Sequence, residues 1–100
     1  MKPLYLTIKK KWFDKILSGE KAIEFREVKP YYDSKFKNQY TKILLQAGYS
    51  KTAPQLTADI LFVEKKVILF PEKLFEMECY CIHLHNPKLF NKLGDVKNKL

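Results

Sequence analysis

The stretch Leu17-Ser18-Gly19-Glu20-Lys21-Ala22-Ile23-Glu24-Phe25-Arg26 holds the residues best placed to do chemistry. Gly19 lets the chain turn sharply, because glycine enters left-handed backbone at little cost. Lys21 stands at the mouth of that turn. Ile23 and Phe25 alternate with Glu24 and Arg26, so the latter two project from one face of a strand. A lysine there offers a point charge to a phosphate or a base carbonyl, and an arginine offers a planar fork. Glu24 would either hold the guanidinium or accept from an exocyclic amine. Arg26 is the single arginine beside eighteen lysines, which suggests a need for a forked, always-charged donor. The competing reading is an ion pair that only braces the sheet. On the first reading the ammonium, carboxyl and guanidinium converge on one shared cleft.

Nearby residues could complete such a cleft. Tyr49, beside Gly48 in a polar loop, is the preferred stacking face; Tyr31 and Trp12 are alternatives, although Trp12 lies on an apolar stripe and is expected in the core. Lys9, Lys10 and Lys11 open a helix, where their charge opposes the macrodipole. They either steer a phosphate backbone or form a solvated helix start. The run Cys79-Tyr80-Cys81-Ile82-His83-Leu84-His85 would put two thiols and two imidazoles on one strand face. Six strand residues span about 20 Å, whereas zinc ligands converge within about 2.3 Å of the ion, so no metal is expected. Cys79 and Cys81 would lie about 7 Å apart and parallel, which predicts free thiols. No Gly-rich phosphate loop occurs and no nucleophile is spaced to a histidine, so no cofactor and no Ser-His-Asp chemistry is expected.

The elements that must position these residues follow from periodicity. A first strand is predicted from Leu4 to Ile8. Ile8, Trp12, Phe13, Ile16 and Leu17 form one stripe at helical period, giving a main helix over about 9–18 that Gly19 closes. A strand from Lys21 to Val28 ends at Pro30, and a short helix follows from Pro30 to Phe36. A third strand covers Lys42 to Gln46. A fourth runs from Gln55 to Val63 with Leu56, Ala58, Ile60 and Phe62 inward. Val67 to Phe70 is a candidate fifth, cut by Pro71, and Glu78 to Leu84 is the last. Five to six short strands with one main helix predict an α+β fold, most simply a small closed or half-closed β-barrel plugged by that helix.

Composition bounds the possibilities. One hundred residues, 46% hydrophobic and 30% charged, suit one folded domain and leave no room for a second lobe. Nineteen basic against eleven acidic residues give a net charge of +8, which suits a polyanionic partner, RNA or DNA first and a membrane surface second. Residues 1–40 carry a net +5, residues 41–85 are balanced, and residues 86–100 carry +3. The last segment reads as a basic tail over 87–100. No apolar run approaches the roughly 20 residues of a membrane span, and the first residues form no hydrophobic signal core. A cytoplasmic protein without a membrane partner is therefore expected.

The pattern Gly19-x-Lys21-x-x-Glu24-x-Arg26, after an amphipathic helix and before Pro30-Tyr31-Tyr32, resembles the signature of the ASCH domain. That family is named for activating signal cointegrator-1 homology. The similarity extends through Leu4-Tyr5-Leu6-Thr7-Ile8-Lys9-Lys10-Lys11-Trp12-Phe13 and Gly48-Tyr49-Ser50-Lys51-Thr52-Ala53-Pro54, and covers roughly residues 4–85. It looks closest to the short stand-alone members of bacteria and bacteriophages. The resemblance implies a PUA-like β-barrel over residues 1–86, with RNA or a nucleotide held in a cleft that the signature lines. Lys9, Lys21, Glu24, Arg26 and Tyr49 are the ligand-binding candidates.

Some small members of that family are amidohydrolases that remove the acetyl group of N4-acetylcytidine. Their pattern has the signature lysine, a threonine three residues later and an acid from a later strand. Lys21 matches the lysine, Glu24 stands at the threonine position, and Glu64, Glu76 or Glu78 could supply the acid. A carboxylate cannot replace a hydroxyl nucleophile without changing the mechanism. Binding of RNA, a nucleotide or a nucleoside is thus the leading expectation. Hydrolysis of an acylated nucleoside, with Lys21 and Glu24 as catalytic residues, is the alternative. Gln46-Ala47 also departs from the more polar, basic pair of related short members.

Overall fold

The structure, a computed structural model, describes residues 2–90. Five strands and two helices follow one another as β1 (Leu4–Ile8), α1 (Lys10–Leu17), β2 (Ile23–Glu27), α2 (Pro30–Lys35), β3 (Lys42–Ala47), β4 (Gln55–Phe70) and β5 (Phe75–Phe90). They form one sheet in the order β1-β3-β4-β5-β2, with β1 parallel to β3 and the other neighbours antiparallel. This is the expected α+β class.

The core lies on one face of the sheet. Leu4, Leu6 and Ile8 of β1, Ile43 and Leu45 of β3, Leu56, Ala58 and Ile60 of β4, and Ile82 and Leu84 of β5 are all buried there. Alternation at period two sets the inward residues of β1 and much of β3 and β4, while β2 adds no apolar residue to this core. Helix α1 covers that face with Phe13 and Ile16 and packs against β3 and β5. Its end follows from Gly19, which takes φ +88° and whose N–H donates to the Ile16 carbonyl at 3.1 Å. The chain then passes directly into β2.

The sheet does not close into a barrel, which overturns the closed member of the closed or half-closed pair expected. β1 and β2 are its two edges and share no backbone ladder. The link between these edges is α1, which joins the end of β1 to the start of β2 and packs against β3 and β5, and no backbone pairing bridges the two strands. A side chain crosses the gap instead. Arg26 on β2 donates through Nη2 to the Thr7 carbonyl of β1 at 2.8 Å.

Three further expectations are corrected. Gln55–Val63 and Val67–Phe70 are not separate strands. Glu64-Lys65-Lys66 continues the ladder against Cys81, Tyr80 and Cys79, so β4 runs unbroken through Phe70. Phe62 is not inward: a register shift between Ile60 and Phe62 turns it outward, and it is 52% exposed. Its ring stacks on His83 instead, with centroids 4.0 Å apart. Finally, β5 extends through Phe90, whose Cα faces that of Gln55, so residues 87–90 belong to the sheet. The rest of the basic segment, 91–100, lies outside the described residues.

The far half of the β4–β5 hairpin bends back over β2. Phe25 of β2 is level with Cys81 and Glu64, yet its ring meets Phe70 edge-on at 6.5 Å. Cys79 and Cys81 share the face of Phe25, Phe70 and Phe75 and are buried, free thiols. Burial pushes both thiols above their usual pKa.

Candidate functional site

Lys21, Glu24 and Arg26 form one continuous chain of charge. Glu24 is in the middle: its Oε2 accepts from Arg26 Nε at 2.8 Å, and its Oε1 lies 3.7 Å from Lys21 Nζ. The side chains are 17%, 8% and 15% exposed in sequence order. The ion pair weighed from the sequence is therefore present, and so is the contact with Lys21. The three groups do not share one hollow, however. They stand along a partition with a hollow on each side.

The first hollow, about 620 Å³, is lined by Lys9, Trp12, Lys21, Glu24, Phe25 and the Ile68–Phe70 segment with Glu72. It sits where β2 is an edge strand, so side chains from both of its faces, Glu24 and Phe25, reach it. Lys21 Nζ lies 4.7 Å from the Phe25 ring centre and 5.6 Å from that of Trp12, a cation–π arrangement on two rings. It also donates to the Ile23 carbonyl. Burial lowers the Lys21 pKa; Glu24 pulls it upward and Arg26 adds to the lowering. The ammonium is thus easier to neutralise than a surface lysine.

The second hollow, about 400 Å³, is lined by Tyr5, Thr7, Arg26, Tyr31, Tyr32, Gln46 and Tyr49. Arg26 is committed on three sides. Besides Glu24 and Thr7, it donates through Nη1 to the Tyr32 hydroxyl at 2.8 Å. Burial opposes its charge, but Glu24 and the Tyr32 hydroxyl outweigh that and raise its pKa. Its role here is to hold β1, β2 and α2 together while presenting one face to the hollow. Gln46 organises the opposite wall. Its Oε1 accepts from Tyr5 Oη and Gln55 Nε2, both at 2.7 Å, and its Nε2 donates to the Gly48 carbonyl at 2.7 Å. These bonds satisfy a 5% exposed amide and fix the start of the loop that carries Tyr49.

The sequence candidates therefore divide. Lys9, Lys21 and Glu24 meet in the first hollow; Arg26 and Tyr49 meet in the second. Trp12 is not core: it is 37% exposed and forms a wall of the first hollow. The helix stripe is narrower than expected, with Phe13 and Ile16 buried and Trp12 rotated toward Lys21. The lysine triplet also separates. Lys10 pairs with Asp14 at 2.9 Å, Lys11 lies over Trp12, and only Lys9 reaches the hollow.

None of the three expected acids lines the Lys21 hollow. Glu64 binds His83 Nε2 at 2.6 Å on another part of the sheet. The acid present is Glu72, from the hairpin turn. It was missed because nothing in the sequence ties that turn to Lys21; only the bend of the hairpin brings it there. Among the described residues no cluster of three or more His, Cys, Asp or Glu could hold a metal ion. His83 is engaged by Glu64 and Phe62, while both thiols are buried.

Fold and site together define a small α+β domain with an open five-stranded sheet and a charged partition between two hollows. No helix among the described residues is long and apolar enough to cross a membrane. No family model, curated protein or solved structure matches the chain.

Proposed function

We propose that this protein is an ASCH-type, PUA-like domain of the short bacterial or bacteriophage kind that binds RNA or a nucleotide at Lys21, Glu24 and Arg26 in the cytoplasm. The observation that carries the reading is the Lys21 hollow. It combines an ammonium, two flat rings and a carboxylate in a space large enough for a nucleoside. The rings offer stacking faces, Lys21 meets a base carbonyl or phosphate, and Glu24 accepts from an exocyclic amine. Arg26 also reaches across the open edge, from β2 to the Thr7 carbonyl of β1. The net charge of +8 suits the same partner.

Labelled single-stranded RNA titrated against wild type and Lys21→Met tests the reading. Methionine keeps the buried stem and removes the charge, so weaker binding by the variant is expected, together with a steep loss of wild-type binding as salt rises. Equal affinities would place the site elsewhere.

One observation favours the hydrolytic alternative as a second reading. Burial makes Lys21 easier to deprotonate, and Glu72 faces the same hollow. Neutral Lys21 would take a proton from a water attacking the acetyl carbon of N4-acetylcytidine, in place of the absent threonine, and return it to the exocyclic N4 as the C–N bond breaks, so that acetate and cytidine leave. Cytidine release by wild type and none by Lys21→Met is the expected result; no release by wild type removes this reading.

A further inference from the structure

The two hollows differ in charge in a way that assigns them different parts of a ligand. The Lys21 hollow is balanced: Lys9 and Lys21 face Glu24 and Glu72. A balanced site suits an uncharged base or nucleoside better than a phosphate. The second hollow contains the Arg26 guanidinium and no acidic residue in its lining. Cations also stand over its tyrosines, with Lys35 Nζ 5.3 Å from the Tyr31 ring centre and Lys29 Nζ 5.8 Å from that of Tyr32. Tyr49 is 89% exposed and Tyr31 56% exposed. Exposed rings among cations form the kind of surface on which single-stranded nucleic acid stacks.

The geometry points to a second, separate subsite: the tyrosine hollow on the far side of the Glu24–Arg26 pair takes the flanking nucleotides of a single strand whose target base enters the Lys21 hollow. This inference rests on the nucleic-acid reading and extends it from a nucleotide to a strand. Tyr49 and Tyr31 supply stacking faces, and Lys29 and Lys35 meet phosphates. Arg26 separates the two hollows, since its Nε holds Glu24 at the first while its Nη1 holds Tyr32 at the second. The loop bearing Tyr49 is anchored by Gln46 at its base, so the ring is offered from a fixed support.

The test compares two probes: a fluorescein-labelled oligonucleotide of about eight nucleotides, within the usual range of site sizes, and free cytidine. Oligonucleotide binding is read by anisotropy and cytidine binding by Trp12 fluorescence. Tyr49→Ala and Tyr31→Ala are expected to weaken the oligonucleotide about tenfold each and to leave cytidine unchanged. Tyr49→Phe keeps the ring and is expected to retain wild-type affinity. Lys29→Gln and Lys35→Gln are expected to flatten the slope of log affinity against log salt by about 0.7 each. Unchanged oligonucleotide affinity in both alanine variants would overturn the subsite while leaving the Lys21 reading standing. Wild-type protein that binds no oligonucleotide at any salt would overturn both.

Discussion

Replacing Arg26 by glutamine perturbs the group that joins both edges of the sheet. The wild-type guanidinium makes three bonds of 2.8 Å, to Glu24, Tyr32 and the Thr7 carbonyl. Glutamine is too short to reproduce this fork. The loss also leaves Glu24, 8% exposed, with only Lys21 at 3.7 Å as a charged partner. Removing one member of a buried ion pair costs about 3–5 kcal/mol, mostly through the charge left behind. That is a large share of the roughly 5–15 kcal/mol that stabilises a domain. At this chain length it corresponds to a fall in Tm of at least about 12 °C. Urea unfolding followed by circular dichroism and by Trp12, the single tryptophan, measures it. Glu24→Gln should restore part of the loss, with the double variant better than the sum of the singles by more than about 1 kcal/mol. A loss below about 1 kcal/mol for Arg26→Gln would refute the assignment of Arg26 as the bridge between the edges, and simple additivity would refute its coupling to Glu24.

Cys79 and Cys81 are buried with raised pKa values, so a thiol reagent should modify neither in the folded protein at neutral pH and both in urea; rapid native labelling would contradict their placement. The lowered pKa of Lys21 also carries a sign. Between its folded value and the unfolded 10.5 the unfolded chain holds more protons, so its contribution to stability grows as pH rises through that window and is lost as pH falls. Tyr80, pushed up to about 12 by its hydrogen bond to Asp33, acts in the opposite sense above pH 10. Lys21→Met retains Tyr80, so the difference between wild-type and variant unfolding free energies isolates Lys21. That difference should shift in favour of wild type with rising pH, and a flat or opposite trend would refute the buried placement.

Local pattern made much of the fold legible. The alternation in β1 and β2, the α1 stripe ended by Gly19, and the proline at the start of α2 each mark an element close to its observed bounds. The pairing of Glu24 with Arg26 was equally readable, since residues two apart on a strand share a face. The rest depends on contacts remote in sequence. The charged run Glu64-Lys65-Lys66 looks like a break, yet its backbone is paired and its side chains reach solvent. Phe62 faces outward because of a bulge that its apolar character does not announce. Trp12 fits an apolar stripe, but its ring faces two ammonium groups, Lys11 at 4.8 Å and Lys21 at 5.6 Å from its centre. The division of the site into two hollows depends on where α2 and the hairpin turn come to rest, which no local pattern encodes.

The most direct test of the account is a titration of wild type and Lys21→Met with cytidine and with single-stranded RNA, following Trp12 fluorescence. Trp12 lines the Lys21 hollow, so a base entering it must change the emission. A saturable change is expected in wild type and a weakened one in Lys21→Met, with circular dichroism the same for both proteins. RNA that binds without altering Trp12, and binds the variant equally well, would contradict it.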